Sequence, residues 1–165
     1  MIDPESKILT REFVAFLRSE FQLDWRGIHG SPHWTRVRHN GLVLAKRNGA
    51  KVHVVELFAF LHDVRREHDG RDRLHGERSA ELACELNGRF FALSPADLQL
   101  LEMACREHSH GHTQAAVTVQ TCWDADRLDL GRVGIRPAAD RMCTDEARDP
   151  LVMGAAYERS LAGWG

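Results

Sequence analysis

The segment Val54–Leu61 (VVELFAFL) is apolar on nearly every side of a helix, and it runs straight into His62 and Asp63. A helix without a polar face must be covered all round, so this one predicts a central helix wrapped by others. The two residues at its end are costly to desolvate unless they are paired or bound to a metal. Their partners have to come from elsewhere in the chain.

The rest of the sequence reads as helix too. Ile8, Phe13, Phe16 and Leu17 recur at helical spacing in PESKILTREFVAFLRSEF. SPHWTRVRHNGLVLAKRNG opens with Ser31 as N-cap and Pro32 at the first helical position, and closes near Gly49. Leu74–Leu86 and Pro95–Glu107 show 3/4 spacing, the second capped by Ser94. Val117, Thr118, Val119 and Thr121 favour strand, but no partner strand is evident, so this stretch is also read as helix. One or two short helices over 137–162 close the chain. The expectation is all-α: a single compact helical bundle forming one domain over 1–165, with a motif-bearing core at about 28–130.

Composition narrows the function. A net charge of -2 without a basic block argues against nucleic acid as the main partner. No apolar run approaches the roughly 18 residues of a membrane span. The N-terminus lacks the basic and apolar regions of a secretory signal, and none of the four cysteines forms a CxxC pair. A cytoplasmic protein with reduced thiols is expected. Ten histidines stand against a single tyrosine, five of them between His29 and His62 and three within His108–His112. Histidine is the commonest metal ligand and the usual acid/base at neutral pH.

Several of these residues fall on apolar stripes. His33 shares a stripe with Val37, Gly41 and Leu44, and Asp126 shares one with Val119, Cys122 and Leu130. The ordered elements PHWTRV, FLHDV and DADRLD resemble the HD-domain metal-dependent phosphohydrolase superfamily, over most of the chain. In that family a first-helix His, a His-Asp doublet and a later Asp bind a divalent metal inside a helical bundle. The resemblance therefore places a metal on His33, His62, Asp63 and Asp126, with Asp63 and His62 as the catalytic pair. His75 and His108 resemble the added histidines of subgroups that hold two metals. His110 and His112 read as solvated loop residues. Asp124 becomes a second-shell or capping residue, although the reverse assignment of Asp124 and Asp126 stays open. Asp129 is read as holding an arginine or a helix end.

Mixed imidazole and carboxylate donors suit Mn, Fe, Co, Ni or Zn better than Ca or Mg, as one ion or two. Arg36, Arg65 and Arg66 lie beside the ligand segments as candidates for substrate phosphate. The resemblance implies hydrolysis of a nucleotide or another phosphate ester by metal-activated water. A di-iron oxygenase of the HD type would use much the same ligands, and a non-catalytic metal- or nucleotide-binding module is a third reading. There is no GYP element, which argues against cyclic-di-GMP hydrolysis of that type. Substrate and oligomeric state are not specified by these residues.

Overall fold

The computed structural model describes residues 8–163. They form α1 (Arg11–Glu20), α2 (Ser31–Asn48), α3 (Val52–Leu61), α4 (His75–Leu86), α5 (Pro95–Glu107), α6 (Val117–Arg127), α7 (Asp145–Arg148) and α8 (Pro150–Leu161). Two 3-10 turns, Leu130–Val133 and Ala139–Arg141, lie between α6 and α7. No strand occurs among the described residues, only an isolated bridge between Asn87 and Phe91. Residues 1–7, where the first predicted helix would begin, lie outside the described residues. Within them, no helix is long and apolar enough to cross a membrane.

The fold is all-α and centres on α3, every residue of which from Val54 to Leu61 is buried. Around it pack α2, α4, α5 and α6. On α1, Phe13 and Leu17 are buried, and Phe13 stacks on Phe90 with ring centroids 5.3 Å apart. A smaller apolar cluster of Leu44, Leu128, Met142, Ala147 and Ala156 seats the C-terminal helices.

Two local expectations have informative outcomes. The stretch from Val117 is helix despite its strand propensity. Thr121 donates its hydroxyl to the Val117 carbonyl at 2.8 Å, and Val119 and Cys122 are fully buried. Tertiary burial overrides the local preference. The N-cap of α2, by contrast, is Gly30 and not Ser31. Ser31 donates both its hydroxyl (3.2 Å) and its N–H (2.8 Å) to the Trp25 carbonyl, so its side chain is turned away from the helix end. At the other end, α2 does close at Gly49, in the left-handed conformation.

Two glycines let helices approach closely. A Cβ on Gly41 of α2 would lie 2.4 Å from Val55 Cγ1 of α3. A Cβ on Gly76 of α4 would lie 2.6 Å from the Arg106 carbonyl and 2.8 Å from that of Cys105, both on α5. Backbone cannot yield as a flexible side chain can, so Gly76→Ala must separate α4 from the end of α5. Overpacking of this kind costs about 1–3 kcal/mol. Urea unfolding of Gly76→Ala is expected to show that loss as a lower midpoint with unchanged slope, and an unchanged midpoint would mean that the contact is not tight.

Candidate metal centre

Four imidazoles converge from helix ends and from the start of α2. His62 and His108 are the C-cap residues of α3 and α5, His75 is the first residue of α4, and His33 stands in the first turn of α2. All four are nearly inaccessible to solvent. Each has an oxygen acceptor opposite Nδ1. His33 Nδ1 donates to Asp129 Oδ2 at 2.7 Å, and His62 Nδ1 faces the Phe58 and Ala59 carbonyls, each at 3.2 Å. His75 Nδ1 donates to the Asp72 carbonyl at 2.5 Å, and His108 Nδ1 to the Cys105 carbonyl at 2.7 Å. A proton on Nδ1 leaves the Nε2 lone pair as the inward-facing group, which is the tautomer a metal ligand requires.

The Nε2 atoms meet in pairs, His33 with His62 at 3.0 Å and His75 with His108 at 2.8 Å. Two lone pairs at that distance repel unless a cation lies between or beside them. Asp63 stands between the pairs and divides its two oxygens. Oδ2 lies 3.7 Å from His33 Nε2 and 3.6 Å from His62 Nε2. Oδ1 lies 3.4 Å from His75 Nε2 and 3.5 Å from His108 Nε2. Asp126 joins the first pair, with Oδ1 at 3.3 Å from His33 Nε2 and 3.8 Å from His62 Nε2. That oxygen is buried and accepts no hydrogen bond. Donors around a transition metal at 2.0–2.2 Å stand ~3–3.5 Å apart, so both sets are within a few tenths of an ångström of metal-ligand spacing. An orphaned carboxylate oxygen and opposed lone pairs fit a divalent cation.

The electrostatics agree. Burial pushes His62 down to about 3, so it is neutral. Burial would raise Asp63, but the neighbouring imidazoles, His62 first, outweigh it and hold the carboxyl well below the usual range. Asp126 is held low in the same way, by His33, His62 and Arg132 acting against burial. Burial also lowers His75. At His108 it acts downward but is outweighed by the hydrogen bond and charge of Asp63, and the net shift is upward. Two buried carboxylates thus remain anionic, with Arg66 3.4 Å from Asp63 and Arg132 3.7 Å from Asp126, and a divalent ion would complete their neutralisation.

The structure does not bring every candidate to this point. Arg36 is buried and bidentate to Asp129, with Nε at 2.7 Å from Oδ1 and Nη2 at 3.1 Å from Oδ2, so it is not free to meet substrate. Arg65 turns outward to Glu20 at 2.5 Å. Arg66 is at the centre: Nη1 is 3.4 Å from Asp63 Oδ1 and 3.2 Å from His75 Nε2, with its guanidinium tethered to the carbonyls of His68 and Gly70. Asp124 touches none of the donors. It accepts from the backbone N–H groups of Cys143 (2.7 Å) and Thr144 (2.8 Å) and from the Thr144 hydroxyl (2.8 Å), tying α6 to the segment before α7. The carboxylate that orients one of the converging imidazoles is Asp129, through its bond to His33. Sequence reasoning also missed His29, buried beside His33 with its ring 6.5 Å away, whose Nδ1 pairs with Asp69 at 2.9 Å. It missed Arg132 as well, whose Nη2 is 3.7 Å from Asp126 Oδ1. Crowding of histidines before His62 was the only signal for His29, and nothing local marked Arg132.

A cavity of about 460 Å³ opens at His75, lined by Arg66, Arg71, Asp72, Arg73, Ser109 and His110. It is strongly cationic, and the rings among its lining residues are the imidazoles of His75 and His110.

No family model matches the sequence, and no curated protein matches it. Among solved structures, the chain is similar to a predicted HD superfamily hydrolase from an uncultured Thermotogales bacterium. The two are 28% identical over 94% of this chain and 92% of the other, with a TM-score of 0.69. With its helical architecture and the chain order of His33, His62–Asp63 and Asp126, the protein has the all-α fold of HD-domain proteins.

Asp124 and Asp129 can be told apart by experiment. Removing the partner that orients a ligand typically weakens metal binding 10–100-fold. Asp129→Asn is expected to show that loss in a chelator competition. Asp124→Ala should leave affinity unchanged but lower stability by about 1–3 kcal/mol for each donor left unsatisfied. If Asp124→Ala weakened metal binding as much as Asp129→Asn, these roles would be reversed.

Proposed function

We propose that the protein is a metal-dependent phosphohydrolase acting on a phosphate ester, with His33, His62, Asp63 and Asp126 holding one divalent transition metal and His75, His108 and Asp63 a second. The observation that carries this reading is the division of Asp63 between two imidazole pairs beside an arginine-lined cavity. The donor sets fit Mn, Fe, Co, Ni or Zn. Bound there, such ions supply a hydroxide from water near neutral pH and Lewis-acid polarisation of a phosphoryl oxygen.

The chain's own residues do the rest. Asp63, through its two oxygens, fixes the spacing of the two donor sets. The acceptors at each Nδ1 hold the imidazoles rigid, so little reorganisation accompanies reaction. Arg66 reaches from Asp63 to the cavity and is placed to receive a phosphoryl oxygen, with Arg71 and Arg73 beyond it. Three guanidiniums among the lining residues favour recognition through phosphate. The structural likeness to a hydrolase of the HD superfamily supports the reaction class. A di-iron oxygenase would use the same imidazoles and carboxylates, but it has no evident use for a cavity with three arginines.

Asp63→Ala is expected to abolish turnover of phosphate esters and to remove the metal of the buried centre while keeping the helical circular-dichroism signal. Arg66→Ala should keep one equivalent of metal or more and lower kcat/KM ~30-fold, the loss expected for a ~2 kcal/mol hydrogen bond to a charged group. Full activity in Asp63→Ala against the best substrate of a phosphate-ester panel would refute the proposal. Oxygen consumption by iron-loaded protein, without phosphate release, would replace it with the oxygenase.

A further inference from the structure

Immediately outside the buried centre, the end of α5 carries a second set of donors facing the other way. His108 turns inward to Asp63, while Glu107 before it and His110 and His112 after it are partly or fully exposed. Glu107 Oε2 lies 2.9 Å from His110 Nδ1 and 3.4 Å from His112 Nε2, and the three donor atoms all fall within 4.8 Å of one another. We propose that Glu107, His110 and His112 form an outer transition-metal site, independent of the buried one, with its fourth position open to water or an anion.

The spacing supports this. Three donors around a tetrahedral ion at 2.0–2.1 Å stand ~3.3 Å apart, and the two recorded distances bracket that value. The alternative is that two imidazoles simply pair with one carboxylate. Exposed pairs of that kind contribute only ~0–1 kcal/mol each, which is little to gather three side chains on a solvated loop.

The loop is held from behind. The His112 carbonyl accepts from Arg127 Nη2 at 2.5 Å, and the Thr113 carbonyl accepts from Gln120 Nε2 at 2.8 Å. Both donors belong to α6, and Arg127 is buried. The backbone carrying His112 is therefore fixed before any ion arrives, which reduces the ordering cost of binding. Two imidazoles and one carboxylate select zinc, nickel, cobalt or copper over magnesium or calcium.

Its position sets the outer group between two spaces. His110 also lines the arginine-rich cavity at His75. Glu107 and His112 line a separate cavity of about 660 Å³ that includes Met103, Arg106 and Trp123. An ion on this ridge, with an open coordination position, would offer an anion a second electrophilic contact at the cavity rim.

The test is zinc binding by the full chain, as wild type, His110→Ala/His112→Ala, and His33→Ala/His62→Ala. The two outer side chains are 41% and 59% exposed, so the outer variant should melt like wild type in metal-free buffer. Titration with Zn²⁺ against a chromogenic chelator is expected to show one equivalent fewer in the outer variant. The His33→Ala/His62→Ala protein should keep that equivalent, and adding His110→Ala/His112→Ala to it should remove it. Equal zinc stoichiometry and affinity in wild type and outer variant would overturn the proposal. So would loss of all binding in His33→Ala/His62→Ala. Neither readout depends on turnover, so failure of the hydrolase reading would leave this test intact.

Discussion

An ionised carboxylate buried at the end of an apolar helix is the constraint around which this molecule is arranged. Asp63 follows the central helix α3 and is 2% exposed. Such a charge is tolerated only with compensation close on every side. Four imidazoles surround it, from α2, the end of α3, the start of α4 and the end of α5, and Arg66 is the guanidinium beside it. Bringing those helix ends to one carboxylate demands close helix approach, and Gly41 and Gly76 stand where a side chain would block it.

The orientation of the imidazoles follows from a nearby backbone carbonyl at three positions and from tertiary contact at the fourth. His62, His75 and His108 each direct Nδ1 at a carbonyl three or four residues earlier. For His62 and His108 these are carbonyls of the final turn, which lack a full set of partners within the helix. The helix end therefore both needs the imidazole N–H and fixes its tautomer. His33, at the start of a helix, has no such carbonyl. Its Nδ1 partner is Asp129, 96 residues further on and itself held by Arg36. The two halves of the centre also differ in charge. The first set contains Asp63 and Asp126, whereas the second has one carboxylate oxygen with Arg66 beside it. Arg66 gives the second half its cationic side, and the arginine-lined cavity opens there.

Much of this arrangement was legible. Apolar periodicity marked the core stripes of α2, α3 and α6, and stripes that held a histidine or aspartate pointed to His33 and Asp126. The acids at the end of α6 were harder. Asp124 and Asp126 are about 200° apart around a helix axis, so they serve opposite sides, one the imidazoles and the other the backbone of Cys143 and Thr144. Asp129 lies beyond the helix, where periodicity no longer predicts direction. The arginines were least legible. Three neighbours of ligand residues have three different fates: Arg36 is locked to Asp129, Arg65 is drawn to Glu20, and Arg66 reaches the centre. Long, flexible side chains are placed by the partners the fold supplies, and sequence proximity carries little of that information.

The sequence by itself determined an all-α fold, a central apolar helix and the residue types of a mixed imidazole and carboxylate centre. Periodicity and residue chemistry are local, and they survive without knowledge of the fold. The tertiary structure decided the division of Asp63 between two imidazole pairs and the pairing of Asp129 with His33. Those outcomes depend on where helix ends meet and which backbone groups are left for them, and no one-dimensional pattern encodes either.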